Sequence, residues 1–171
     1  NLLIEDLDGN GLKDILFLKG KRLVIFRQDS LNGYSKYPNE IIDLNKFAAI
    51  DISNIDPRSG KELVLMDEDG VHCYIQKNGR FKPEPVQIIT EKTLYSPSSI
   101  RKIEVWDFAI DLNGDGESEI ILFKKNELII YWKNQKGFYE IKQKIPLELQ
   151  VSVEFSDTIS KYQGKTLRWI L

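Results

Sequence analysis

The stretch Asp6-Leu7-Asp8-Gly9-Asn10-Gly11-Leu12-Lys13-Asp14 returns 105 residues later as Asp111-Leu112-Asn113-Gly114-Asp115-Gly116-Glu117-Ser118-Glu119. Oxygen-bearing side chains fall at loop positions 1, 3, 5 and 9 of both copies. They are Asp6, Asp8, Asn10 and Asp14 in the first, and Asp111, Asn113, Asp115 and Glu119 in the second. Glycine at position 6 permits a sharp turn, and hard oxygen ligands on a tight loop suit Ca²⁺. Each copy leads directly into a β-rich apolar run, so the chain must place two equivalent acidic loops at equivalent points of a repeated β unit.

The repeat extends beyond the loops. A shift of 105 aligns residues 6–29 with 111–134 without a gap, and eight of the 24 positions are identical. Ile15-Leu16-Phe17-Leu18, a polar turn at 19–22 and Leu23-Val24-Ile25-Phe26 match Ile120-Ile121-Leu122-Phe123, a turn at 124–127 and Leu128-Ile129-Ile130-Tyr131-Trp132. Short β-branched and aromatic runs separated by polar turns predict an antiparallel meander. A shift of 48 lays a third unit between the two, with Glu62-Leu63-Val64-Leu65-Met66 over 14–18 and Val71-His72-Cys73-Tyr74 over 23–26. Its loop offers Asn54, Asp56 and Arg58 with Pro57, and a guanidinium at a ligand position repels a dication. A metal-free middle loop held by turn hydrogen bonds is therefore expected.

An outer strand is expected after each meander, around 37–44, 85–89 and 138–146. Four strands at a period of about 50 residues are the mark of a β-propeller blade. The expected fold is all-β, with blades over 1–45, 46–92 and 103–149, a Ser/Pro-containing insertion over 93–102 and a partial fourth blade over 150–171. Three blades and a fragment fall short of a ring. The expectation is therefore a segment of a larger propeller, closed by its remainder or by a partner chain.

Loop, following strand and period together resemble FG-GAP or VCBS repeats, the blades of integrin-α-like propellers, over the first 149 residues. The resemblance implies that the loop joins the first two inner strands and binds calcium through positions 1, 3, 5 and 9 and the carbonyl of position 7. The implied sets are Asp6, Asp8, Asn10, the Leu12 carbonyl and Asp14, and Asp111, Asn113, Asp115, the Glu117 carbonyl and Glu119. Glu119 departs from the usual Asp by one methylene. The resemblance also implies a protein or carbohydrate ligand on the opposite face, and it admits an accessory role beside a secreted polysaccharide-processing enzyme.

An EF-hand loop begins in the same way, but it demands an acidic position 12 and flanking helices. Position 12 is Phe17 or Leu122 here, and the flanks are β-like. An acidic Asp-Gly hairpin without metal remains the plain alternative.

Composition narrows the function. Net charge is −2, with 24 basic and 26 acidic residues interspersed, which gives nucleic-acid binding no support. No run approaches the 18 apolar residues of a membrane span. The one cysteine, Cys73, aligns with Ile25 and Ile130 and reads as a packed thiol. The one histidine, His72, aligns with Val24 and Ile129 in mid-strand, so neither His-dependent catalysis nor zinc ligation is supported. Trp106, Trp132, Trp169, Tyr34 and Tyr95 are candidate sugar platforms, expected instead to pack between blades, and Phe138, which follows Gly137 as Tyr34 follows Gly33, reads as a recurring packed aromatic. Open, partly amide-ligated loops suit calcium affinities of about 10⁻⁴ to 10⁻³ M, as outside cells. The expectation is a non-catalytic, calcium-stabilised recognition module in the extracellular space, the periplasm or at the cell surface.

Overall fold

The computed structural model describes residues 1–56, 60–96, 102–124 and 126–147. The expected fourth unit, with Trp169, and Pro57 and Arg58 of the middle loop lie outside these residues. Within them all regular structure is β.

In the first segment, β1 (Leu2–Glu5), β2 (Asp14–Lys19) and β3 (Arg22–Phe26) are consecutive antiparallel neighbours. A small ribbon of β4 (Gln28–Asp29) and β5 (Gly33–Tyr34) follows, and β6 (Glu40–Asp43) then pairs with β3 as the outermost strand. The middle segment repeats the plan with β7 (Ala49–Ser53), β8 (Glu62–Asp67), β9 (Gly70–Tyr74), the ribbon β10 (Gln76–Lys77) and β11 (Arg80–Phe81), and outer strand β12 (Val86–Thr90). The third has β14 (Ala109–Ile110), β15 (Glu119–Lys124), β16 (Glu127–Lys133) and β17 (Tyr139–Pro146).

One element departs from the expected four strands per unit. β13 (Glu104–Val105) falls in the segment assigned to the third unit, yet it pairs parallel with β7 and makes the middle sheet five-stranded. The N–H groups of Glu104 and Trp106 donate to the carbonyls of Ala48 and Ile50, both at 3.1 Å. The edge of β7 would otherwise present unpaired backbone groups in a buried position, and two residues of returning chain satisfy them.

Side-chain alternation decides how the sheets stack. In β8 the apolar run Leu63-Val64-Leu65-Met66 is buried throughout, as expected of a strand covered on both faces. Leu63 and Leu65 join Leu16, Leu18, Leu23 and Ile25 of the first sheet in one core. Val64 and Met66 turn the other way and join Ile120, Leu122, Ile129 and Tyr131 of the third. The outer sheets bury one face each. On the far face of the first sheet, Leu2, Phe17, Val24 and Ile41 lie opposite one another across four strands, and Leu2, Phe17 and Ile41 are exposed.

Cys73 belongs to the second core, where burial pushes its thiol well above its ordinary range. His72 points to the opposite face, edge-on to Phe47 at 5.4 Å, with Nε2 3.0 Å from Asp67 Oδ2. The two side chains therefore do not meet. No helix of the described residues is long and apolar enough to cross a membrane.

Candidate metal loops between the inner strands

Each acidic loop spans the gap between the first two inner strands of its sheet: 6–13 between β1 and β2, and 111–118 between β14 and β15. Both fold through one ladder of backbone-to-side-chain bonds. Asp6 accepts from Gly9 N (2.9 Å), Asn10 N (3.1 Å) and Gly11 N (2.9 Å); Asp111 accepts from Gly114 N (2.7 Å) and Gly116 N (2.9 Å). Position 3 then accepts from the N–H of position 5: Asp8 from Asn10 at 3.2 Å, Asn113 from Asp115 at 2.7 Å. Position 5 accepts from position 7: Asn10 from Leu12 at 2.7 Å, Asp115 from Glu117 at 2.8 Å. Gly11 and Gly116 stand at φ 84° and 89°, which side chains rarely adopt. The N–H of Gly116 above all holds the Asp111 carboxyl below its usual range.

Position 9 is built differently. Asp14 is fully buried, with Oδ2 accepting from Leu7 N at 3.1 Å and Oδ1 from Gln28 N at 2.9 Å. Glu119 is 3% exposed, and its Oε2 accepts from Leu112 N at 2.7 Å. The middle sheet carries a third such brace: buried Glu62 accepts from Ile55 N and Asp56 N, both at 3.0 Å. The position-9 carboxylate thus ties the start of the loop to the strand that ends it, even where the acidic pattern is missing. Burial raises the pKa of Asp14 and of Glu119. Backbone N–H groups oppose that rise at both; Arg27 also opposes it at Asp14, where Asp8 adds to it, and Asp115 and Asp111 add to it at Glu119.

Among the described residues, no three Asp, Glu, His or Cys side chains come together as a ligand group. What stands between the carboxylates differs from loop to loop. In the second loop the Asn113 amide nitrogen donates to Asp115 Oδ2 at 2.9 Å and to Glu119 Oε1 at 3.1 Å. The Asn113 oxygen is engaged by Asp115 N at 2.7 Å, so the hard oxygen donors that the amide nitrogen bridges, and that suit a dication in its place, are the carboxylates of Asp115 and Glu119. Lys133 bonds Glu117 Oε2 at 2.9 Å and the Ile55 carbonyl, and so takes up the position-7 side chain rather than a carboxylate of the set. In the first loop the group nearest to the carboxylates is a guanidinium: Arg27 Nη1 lies 3.6 Å from Asp14 Oδ2 and 3.9 Å from Asp8 Oδ2.

The loops also lean on the middle sheet. Leu7 O accepts from Lys61 N at 2.8 Å and from the Gln76 side-chain amide, and a Cβ on Gly60 would sit 2.3 Å from that same oxygen. Asn54 grips the second loop, donating to Gly116 O at 2.5 Å and accepting from Ser118 N at 2.9 Å. Arg27, Gln76 and Glu62 were not singled out by the loop pattern. Only Glu62 left a trace in sequence, as the acid aligned with Asp14.

Of the aromatic candidates, Trp106 and Tyr95 pack edge-on at 4.7 Å, and Trp132 lies half-buried under Lys142. The Tyr34 hydroxyl donates to the Lys13 carbonyl at 2.5 Å, fastening the ribbon to the first loop. Phe138 departs from the packing expectation: it is 69% exposed, at a cleft of about 560 Å³ between the middle and third sheets. The loop 134–138 closes on itself, with Asn134 N donating to Phe138 O at 2.8 Å and Phe138 N to Asn134 Oδ1 at 3.1 Å, and this turns the ring outward. No protein-family model matches this chain, and no curated protein matches it.

Proposed function

We propose that the chain is a calcium-stabilised, non-catalytic recognition or scaffold segment of a β-propeller, working where calcium is millimolar: outside the cell, in the periplasm or at the cell surface. The observation that carries this reading is the shared bond ladder of the two loops at equivalent places in sister sheets. Crowded carboxylates repel, and a dication reverses the sign of that interaction, fixing the hairpin from which the sheet grows.

The apolar far faces support the propeller reading. Ile15, Phe17, Val24 and Phe26 occupy the places that Ile120, Leu122, Ile129 and Tyr131 hold in the third sheet, where they are packed against the middle sheet. A further blade or a partner chain is the natural cover for such a face. The test is a thermal melt in EDTA and in CaCl₂: calcium raises Tm in the native chain and does not in Asp111→Ala. A melt indifferent to both leaves the empty-turn alternative.

The exposed Phe138 favours one second reading, a glycan-binding role or service beside a polysaccharide-processing enzyme. The cleft there is bordered by Ile75, Ile88, Gln87 and Asn134. Glycan-array binding abolished by Phe138→Ala supports it, and undiminished binding removes that platform.

A further inference from the structure

Arg27 has no counterpart in the other units: the repeat places Ile75 and Trp132 at its position. Its side chain is only 10% exposed and is held on several sides. Nε and Nη2 donate to Glu40 Oε1 at 3.1 and 2.9 Å, Nη2 also reaches Gln76 Oε1 at 3.2 Å, and the guanidinium lies 5.5 Å over the Phe81 ring. Glu40 Oε2 in turn accepts from Phe81 N at 2.9 Å. The remaining nitrogen, Nη1, is buried without a hydrogen-bond partner and faces Asp14 and Asp8.

A guanidinium keeps its proton at any physiological pH, so a buried one must be neutralised by neighbouring anions. Asp8, Asp14 and Glu40 supply that charge here. A Ca²⁺ bound to Asp8 and Asp14 at ordinary oxygen distances, about 2.3 to 2.6 Å, would stand against this fixed positive charge in a poorly screened setting. The first loop therefore does not fit a dication as the second does.

We propose that Arg27 is the resident cation of the Asp6 loop. Its guanidinium links Asp8 and Asp14 to Glu40 and, through Gln76 and Phe81, to the β10–β11 ribbon of the middle segment, so this loop closes without metal. The chain then takes one calcium ion, at the Asp111 loop, instead of the two implied by the sequence. The assignment of that single ion rests on the function proposed above; the role of Arg27 does not.

The test uses calorimetric titration with CaCl₂ of the metal-stripped chain as wild type, Asp6→Ala and Asp111→Ala. In parallel, Arg27→Gln, Asp8→Asn and the double variant are melted in EDTA. One ion per chain is expected, kept in Asp6→Ala and lost in Asp111→Ala, with the double variant lowering Tm by less than the two single shifts added. Two ions in the wild type, or one that disappears in Asp6→Ala, overturns the inference and leaves the calcium reading standing. Binding in none of the three overturns the calcium reading, and the melts then decide Arg27 alone: additive shifts overturn its role. Should Arg27→Gln fail to fold, Arg27→Lys replaces it in the same cycle, since it keeps the charge but loses the fork and must show the same sub-additive pattern with Asp8→Asn.

Discussion

The Asp6 and Asp111 loops are the same object locally and different objects in context. They share their turn glycines, the bonds from the N–H groups of positions 4 and 6 to position 1, and a position-9 brace on the N–H of position 2. Asp14, however, lies near a guanidinium held by Glu40 of the same sheet and Gln76 of the β10–β11 ribbon, whereas Glu119 meets an amide and the like charges of Asp111 and Asp115. Backbone geometry is thus written inside the nine residues. The identity of the counter-charge is written outside them, by Arg27 on the chain after β3 and by residues of another sheet.

The largest effect that could break this comparison is at the braces. Asp14→Ala strips the buried Leu7 N–H and the partly buried Gln28 N–H of their acceptor and removes a counter-charge of Arg27. A loss of about 3 to 5 kcal/mol is expected, measured by urea unfolding and equal with or without calcium. Glu119→Ala removes the acceptor of the Leu112 N–H, beside a half-exposed side chain, and of the exposed Asn113 amide, and should cost about 1 to 2 kcal/mol in EDTA. In CaCl₂ its deficit should widen, because the wild type gains an ion and the variant does not. A calcium-dependent deficit at Asp14 would erase the distinction between the loops.

Calcium itself comes next in size. At about 1 mM CaCl₂ and a Kd of about 10⁻⁴ M, one site contributes about 1.4 kcal/mol, or about 3 to 6 °C in Tm for a chain of this size. Twice that shift would indicate that both loops load.

The smallest effect is a control on the seam between the middle and third sheets, where Lys124 pairs with Glu91 and Tyr131 donates to it at 3.2 Å. The hydrogen bond from Lys124 holds the Glu91 carboxyl below its ordinary value of 4.5. The stability it adds is present above that value and is lost as pH falls through the lowered one. Glu91→Gln should cost about 0.5 kcal/mol at neutral pH after solvent screening. That difference should vanish in acid and ignore calcium throughout, as followed by melts across pH.

Much of this was legible in sequence because it is local. Loop phase, strand alternation and the offsets of 48 and 105 place Asp14, Glu62 and Glu119 at one structural position, and the outer strands fall within a few residues of where turn chemistry puts them. What escaped is non-local or lacks periodicity. Glu104–Val105 is two residues long, too short to alternate, and its parallel pairing with β7 answers an exposed edge that no sequence window contains. Arg27 reads as an ordinary strand-end cation until Glu40 takes two nitrogens of its fork and Gln76, 49 residues away, takes a further bond. Phe138 follows a glycine as Tyr34 does, yet the Asn134 turn faces it outward.

Amide hydrogen exchange followed by mass spectrometry, on the native chain with EDTA or with millimolar CaCl₂, reads both loops in one experiment. Calcium is expected to slow exchange across 111–119 and to leave 6–14 as protected as before. Equal slowing in both loops, or slowing confined to 6–14, would contradict the division of labour between a bound ion and Arg27, and no change in either would contradict calcium binding itself.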